Sequence, residues 1–364
     1  MAIESGSGVA SQRFASQLLS GTPARHVVDV VRRICAMQAQ DPMGARLAVR
    51  ARSTNLRAAD VDAALADGSV VISWLNRGTL HLVAAEDYWW LHSLTAHRIL
   101  PAVRRRLAQE GVSAEMTERG IAVVWRALSN GPMRRADLRA AVAAAGVRTE
   151  GQAFIQLAAF AALNGFLLRG PMLGKQHAYV LAADWLPARR PLEENEALAE
   201  LARRYLAGHA PASDRDLAKW AGISLGEARR ALSAIASEVT DCGDGMVRLR
   251  GRPGQGGMPA PQLLGSFEPV LMGWHSRSWV LGENQSRLVR GGMFLPFALV
   301  AGRAAATWQR TDRAVALEPF APISATARRE LDEDGRNLLR FLGLQPAAAA
   351  VSSAAKPPQT RAAR

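Results

Sequence analysis

From residue 11 onward, apolar positions recur at helical spacing and then give way to short runs of strand-like composition, and this succession repeats along the chain. SQRFASQLL (11–19) predicts a helix, Gly21-Thr22-Pro23 breaks it, and ARHVVDVVRRICAM (24–37) predicts a second, with Val27, Val31, Ile34 and Cys35 on one stripe. LRAADVDAALADG (56–68) predicts a third helix ending at Asp67-Gly68. SVVISWL (69–75) and TLHLV (79–83) are β-rich runs split by Asn76-Arg77-Gly78, the hairpin expected of a winged helix-turn-helix.

The second copy runs through NGPMRRADLRAAVAAAGV (130–147) and EGQAFIQLAAFAALNG (150–165) to two apolar strands in FLLRGPMLGKQHAYVL (166–181). The third, GHAPASDRDLAKWAGISLGEARRALSAI (208–235), is the clearest helix-turn-helix, and VTDCGDGMVRLR (239–250) adds a hairpin with Asp244-Gly245 at its turn. The expected fold is therefore α+β: tandem winged helix-turn-helix units at 11–115, 116–190 and 191–344. The last also contains an antiparallel β-rich region (262–320) and a closing helix (321–344). The Ala/Ser/Pro-rich stretch 345–364 is expected to be a disordered tail.

One stretch does not fit a purely architectural reading. In CAMQAQDP (35–42), Gln38 and Gln40 stand two apart where a helix should end, with Pro42 expected to stop it. On a helix they would point to nearly opposite sides; on an extended chain they share one side. From spacing alone, such a pair solvates or bonds free backbone groups at the helix end.

Charge changes the picture further. With 45 Lys and Arg against 32 Asp and Glu, the formal charge of +13 favours a polyanionic partner, nucleic acid first. Lysine occurs only at 175, 219 and 356. No segment approaches about 18 uncharged apolar residues and the start lacks a signal-like pattern, so a cytoplasmic protein with no membrane association is expected. Cys35 and Cys242 are far apart and the seven histidines are scattered, so neither a disulfide framework, a metal site nor a cofactor is indicated.

Taken together, MQAQDP, SWLNRGTLHLV, LLGSFEPVLMGW and GGMFLPFALVAGRAAATWQR resemble the AlkZ-type winged-helix DNA glycosylase family, over roughly residues 11–340. The family divides into Gln-apolar-Gln and Gln-apolar-Asp branches, and Gln38-Ala39-Gln40 is similar to the first. Glu268 departs from the aspartate of the family's Phe-Asp motif. The resemblance implies excision of cationic alkylated purines and unhooking of interstrand crosslinks, with Gln38 and Gln40 as the catalytic pair on a concave DNA-binding surface. Double-stranded DNA carrying such lesions would be the partner of a monomer, in repair or in self-resistance to genotoxins.

Asp41 is the nearest carboxylate, either a base or a turn residue before Pro42. Arg46, Arg50, Arg52 and Arg77 follow, as phosphate contacts or a solvated basic face, with Arg77 preferred. Trp74 reads as core or a stacking platform, and His81 as structural or site-lining. Lys175 sits at a presumed hairpin tip that either enters a groove or is an exposed wing. His275 and Arg277, between Trp274 and Trp279, suit phosphate or sugar contact. No lysine precedes residue 175, so Schiff-base chemistry has no nucleophile close in sequence and a monofunctional glycosylase is expected. The competing readings are a winged-helix transcription regulator and a non-catalytic binder of bent or damaged DNA.

Overall fold

The structure, a computed structural model, describes residues 2–188, 192–251, 256–311, 313–346 and 351–353. Helices α1 (Ala2–Ser16) and α2 (Val27–Ile34) lead into a two-residue strand β1 (Met37–Gln38), then α3 (Pro42–Arg50) and α4 (Ala58–Ala66). Strands β2 (Val70–Trp74) and β3 (Leu80–Ala84) form the first hairpin. Four helices follow, α5 (Tyr88–Gln109), α6 (Ala114–Leu128), α7 (Arg135–Ala144) and α8 (Ala153–Leu163), before the second hairpin, β4 (Leu167–Leu173) and β5 (Gln176–Leu181).

These hairpins do not stand apart as two wings. They join β1 in one five-stranded sheet ordered β1-β3-β2-β4-β5, through antiparallel pairing of Ile72 with Arg169. Because successive strand residues face opposite sides, the sheet feeds two cores. Met37, Ala39, Ile72 and Leu82 enter one, shared with α2 to α8. Val71, Leu75, Val83 and Leu168 enter the other, shared with α1 and the C-terminal half.

The third repeat is independent of that sheet. After α9 (Ala182–Trp185), helices α10 (Glu194–His209), α11 (Asp214–Ala221) and α12 (Leu225–Ala234) pack together. Ser213 with Asp216 and Ser224 with Glu227 form capping boxes that start α11 and α12. Gly222 at φ +74 ends α11, and a small antiparallel pair, β6 (Val239–Asp241) and β7 (Val247–Leu249), follows. Asp244 and Gly245, at φ +52 and +71, make its turn, as the Asp-Gly signal predicts.

The C-terminal region holds β8 (Gln262–Leu264), short helices α13 (Pro269–Met272), α14 (Ser278–Leu281) and α15 (Gln285–Leu288), and a hairpin, β9 (Val289–Arg290) with β10 (Met293–Phe294). Strands β11 (Phe297–Val300), β12 (Arg303–Arg310) and β13 (Val315–Pro319) complete an antiparallel sheet with β8, against which α16 (Ala325–Phe341) packs. Most of the expected tail lies outside the described residues, except that β14 (Val351–Ser353) pairs parallel to β13. Among the described residues, no helix is long and apolar enough to cross a membrane.

Candidate active site

Helix α2 ends abruptly. Cys35, at φ 71 and ψ −57, centres a three-residue γ-turn closed by the Ala36 N–H donating to the Ile34 carbonyl at 2.9 Å. The chain is then extended through β1, an edge strand, as shared-side placement of the two glutamines requires. Met37 and Ala39 are buried toward one core, so Gln38 turns to the opposite face of the sheet. The residue is only 7% exposed, and its amide oxygen is buried with no hydrogen-bond partner among the described residues. The Ala39 N–H donates to the Leu80 carbonyl at 2.7 Å, and the chain leaves the sheet at Gln40, which is exposed.

Asp41 then caps α3. Its Oδ1 accepts from the Met43 N–H at 3.0 Å and its Oδ2 from the Ser266 hydroxyl at 2.7 Å, so both carboxylate oxygens are engaged. Pro42, expected only to stop a helix, is the first residue of the next one, where its missing N–H costs nothing.

Directly across the sheet from Gln38 stands His81. It is 1% exposed and its Nδ1 lies 2.9 Å from the Thr79 carbonyl. Burial first, then the nearby Arg77 charge, pull its pKa from 6.5 to about 3, against the opposing pull of the Thr79 bond. The imidazole is therefore uncharged at neutral pH. Arg77, in the left-handed region at φ 57, is half-buried on the turn between β2 and β3. Burial and the neighbouring Arg277 lower its pKa to about 10. Arg277 is itself lowered by burial; its Nε donates to the Leu271 carbonyl at 2.8 Å and it lies over the Phe294 ring. Neither arginine has a carboxylate partner among the described residues. Two desolvated cations, Arg77 and Arg277, thus stand together, and Arg77 lies near the uncharged histidine that faces Gln38, an arrangement suited to an anion.

Three of the arginines expected to touch DNA have other work. Arg52 is fully buried in an ion pair with Glu268 and also donates to Gln17 Oε1 at 2.8 Å and the Ala48 carbonyl at 2.9 Å. Arg50 makes a two-pronged contact with Asp334, at 2.8 and 2.9 Å, and donates to the Leu263 carbonyl. Arg46 pairs with Asp62 and donates to the Pro42 carbonyl at 2.9 Å. Spacing could not reveal this, because the acids arrive from α4, the loop before α13, and α16. Trp74 is core, 8% exposed, with Arg169 over its ring at 5.2 Å. Trp274 and Trp279 pack edge-on against each other, and Arg13 lies over both. Lys175 is exposed at the tip between β4 and β5, and His275 is exposed with its backbone N–H bonded to Asp216.

Sequence separation also overstated the isolation of lysine. The α11–α12 turn docks on the Arg77 turn so closely that a Cβ on Gly222 would lie 3.0 Å from Arg77 Cγ. This brings the Lys219 carbonyl within 3.5 Å of the Arg77 guanidinium, with the Lys219 side chain exposed. On α12, Arg229 and Arg230 are paired with Asp214 and Glu194.

Sequence reasoning missed the 265–268 segment as a clamp. Gly265 and Gly44 let β8 and α3 meet: a Cβ on Gly44 would sit 2.3 Å from the Ser266 carbonyl oxygen. Ser266 holds Asp41 and Glu268 holds Arg52, so both ends of α3 are fixed from one loop. Asn76, fully buried with neither amide atom partnered, was also passed over; only its place beside Arg77 in SWLNRG signalled it.

Over residues 31–341 the chain matches the family described as DNA glycosylase AlkZ-like. It is 24% identical over 366 residues to the interstrand DNA cross-link repair glycosylase of Streptomyces sahachiroi, covering 91% of this chain and 95% of that protein. The solved structure of Streptomyces sahachiroi DNA glycosylase AlkZ aligns with a TM-score of 0.79 at 23% identity, over 96% of this chain and 99% of that one, a likeness of fold.

Proposed function

The chain belongs to the AlkZ-like DNA glycosylase family, and from that premise we propose that it hydrolyses the N-glycosidic bond of cationic alkylated purines, including bulky guanine adducts and interstrand crosslinks. The observation that carries this reading is the buried, unpartnered amide oxygen of Gln38, which faces His81 across the sheet, with Arg77 near that histidine and Arg277 near Arg77. A guanine alkylated at N7 is already cationic. The bond from C1′ to N9 breaks with its electron pair passing to the purine, which leaves neutral without a general acid. A water oxygen then bonds C1′ and its proton passes to solvent.

What the protein must supply is stabilisation of a cationic sugar and a held water, tasks for fixed dipoles. The amide oxygens of Gln38 and Gln40 present partial negative charge to the sugar without forming an adduct. Asp41 is a poor candidate base because both its oxygens are bonded. Arg77 and Arg277 seat a backbone phosphate, with Lys175 and His275 as outer contacts on a concave surface made by three winged-helix units. The paired arginines of α12 leave little free charge for a reading helix, which counts against the regulator alternative.

Most glycosylases extrude the base into a closed pocket, which a crosslinked guanine cannot enter. A dyad whose second glutamine is exposed at a strand end suits an open site. Excision of a methyl adduct, a bulky adduct and a crosslink, all at guanine N7 in one duplex, tests this. Comparable rates, with abasic sites cleaved only after alkali and no protein–DNA adduct trapped by borohydride, are expected. Activity confined to the methyl adduct would contradict the open site, and trapped adduct would contradict the monofunctional chemistry.

A further inference from the structure

The reading of Gln38 as a catalytic amide leaves one problem unsolved. An amide has a negative and a positive end, and a glutamine free to flip would present its NH2 to the cationic sugar as readily as its oxygen. The register of the sheet supplies an answer. Because the Ala39 N–H donates to the Leu80 carbonyl, Leu80 occupies a hydrogen-bonding position, and Gln38 and His81 form the non-hydrogen-bonded pair beside it. Facing side chains approach most closely in such pairs, whose Cα atoms are about 4.5 Å apart.

His81 has only one way to meet that amide. A carbonyl oxygen can only accept, so the Nδ1 that lies 2.9 Å from the Thr79 carbonyl carries the proton. Its Nε2 is left as a pure acceptor. Burial and Arg77 keep the ring from taking a second proton. A doubly protonated ring would instead attract the amide oxygen and turn the dipole the wrong way.

In the structure the Gln38 amide oxygen is buried and no hydrogen bond joins Gln38 to His81; we propose that His81 is a positioning residue for Gln38, its Nε2 accepting the Gln38 amide N–H once a deoxyribose is seated and so turning the amide oxygen out toward the sugar. The proposal rests on the catalytic reading of Gln38, and it explains why the first hairpin and the dyad strand share a sheet. The Thr79 carbonyl sets the tautomer, the tautomer sets the amide, and the amide sets the sign of the charge offered to the sugar.

A double-mutant cycle tests it, using single-turnover excision of N7-methylguanine from a duplex, the Kd for undamaged duplex, and thermal unfolding. His81→Phe fills the ring's space without an acceptor and should lower the rate at least about tenfold with Kd unchanged. In a Gln38→Ala background the same change should cost less than about twofold, because its effect passes through Gln38. His81→Gln, which fills the site and can accept, should keep at least about a third of the wild-type rate. A wild-type rate for His81→Phe, equal losses in both backgrounds, or equal losses for Phe and Gln would each overturn the proposal. If His81→Phe does not fold, His81→Leu takes its place in the cycle. Absence of excision by the wild-type protein would instead count against the functional reading itself.

Discussion

At the scale of the residue, the two glutamines stood out because they lie two apart where an apolar helical run ends, just before Pro42. What alternation could not foretell is how differently the pair is housed, Gln38 buried across from His81 and Gln40 exposed. The arginines were least legible, since a sequence shows a cation but not the acid that meets it. Burial of histidine has a consequence for stability. His81 and His209 are held down to about 3 and His177 to about 4, in each case by burial first. Unfolded histidines take up protons below about pH 6.5 while these three do not, so the unfolded state gains protons as pH falls. Their stability is complete above that pH and lost on descending toward the folded values, at about 1.4 kcal/mol per pH unit for each group. Asp87, raised to about 6 mainly by burial, works in the opposite sense below pH 6, one group against three. The urea midpoint should therefore fall clearly between pH 7.5 and pH 5; a constant midpoint over that interval would contradict the burial of these histidines.

At the scale of the element, the helices and hairpins that periodicity predicted fell close to where it put them, but the long helices α5 and α6 had no counterpart in that reading. The joining of two hairpins through Ile72 and Arg169 did not show, because pairing between strands nearly 100 residues apart leaves no local mark. Nor did α3, whose proline read as a stop although it begins a helix. That helix is held from outside by the 265–268 loop. Glu268 reaches Arg52 just beyond the end of α3 while also accepting from the Val270 N–H at 3.5 Å. Removing one partner strands the other charge in the core, which costs about 3–5 kcal/mol. Arg52→Ala should accordingly destabilise the protein by that amount while the salt dependence of DNA binding stays as in the wild type. A folded Arg52→Ala protein of wild-type stability, with weakened DNA binding, would restore Arg52 to the role its sequence position suggested.

At the scale of the whole molecule, the formal charge of +13 pointed to a polyanion, and the family is one of DNA glycosylases. Much of the arginine in α3, α12 and α16 is matched by acids, so the cations free to meet DNA are fewer than the count suggests. Arg77 and Arg277 are the desolvated pair at the site. Log affinity for duplex DNA should fall linearly with log salt, and replacing both by alanine should reduce the slope by about 0.9, the value for the one phosphate they seat. An unchanged slope in the double variant would remove them from the interface.

The central claim, that Gln38 and Gln40 do the chemistry, is tested most directly by single-turnover excision of N7-methylguanine by the wild type, Gln38→Ala and Gln40→Ala, each with its Kd for the same duplex. Each alanine variant should lose about 100-fold or more in rate, the scale on which removal of one oriented dipole acts on a charged transition state, while its Kd stays within about twofold of the wild type, because the positioning contacts to phosphate are untouched. Wild-type rates in both variants would contradict the account.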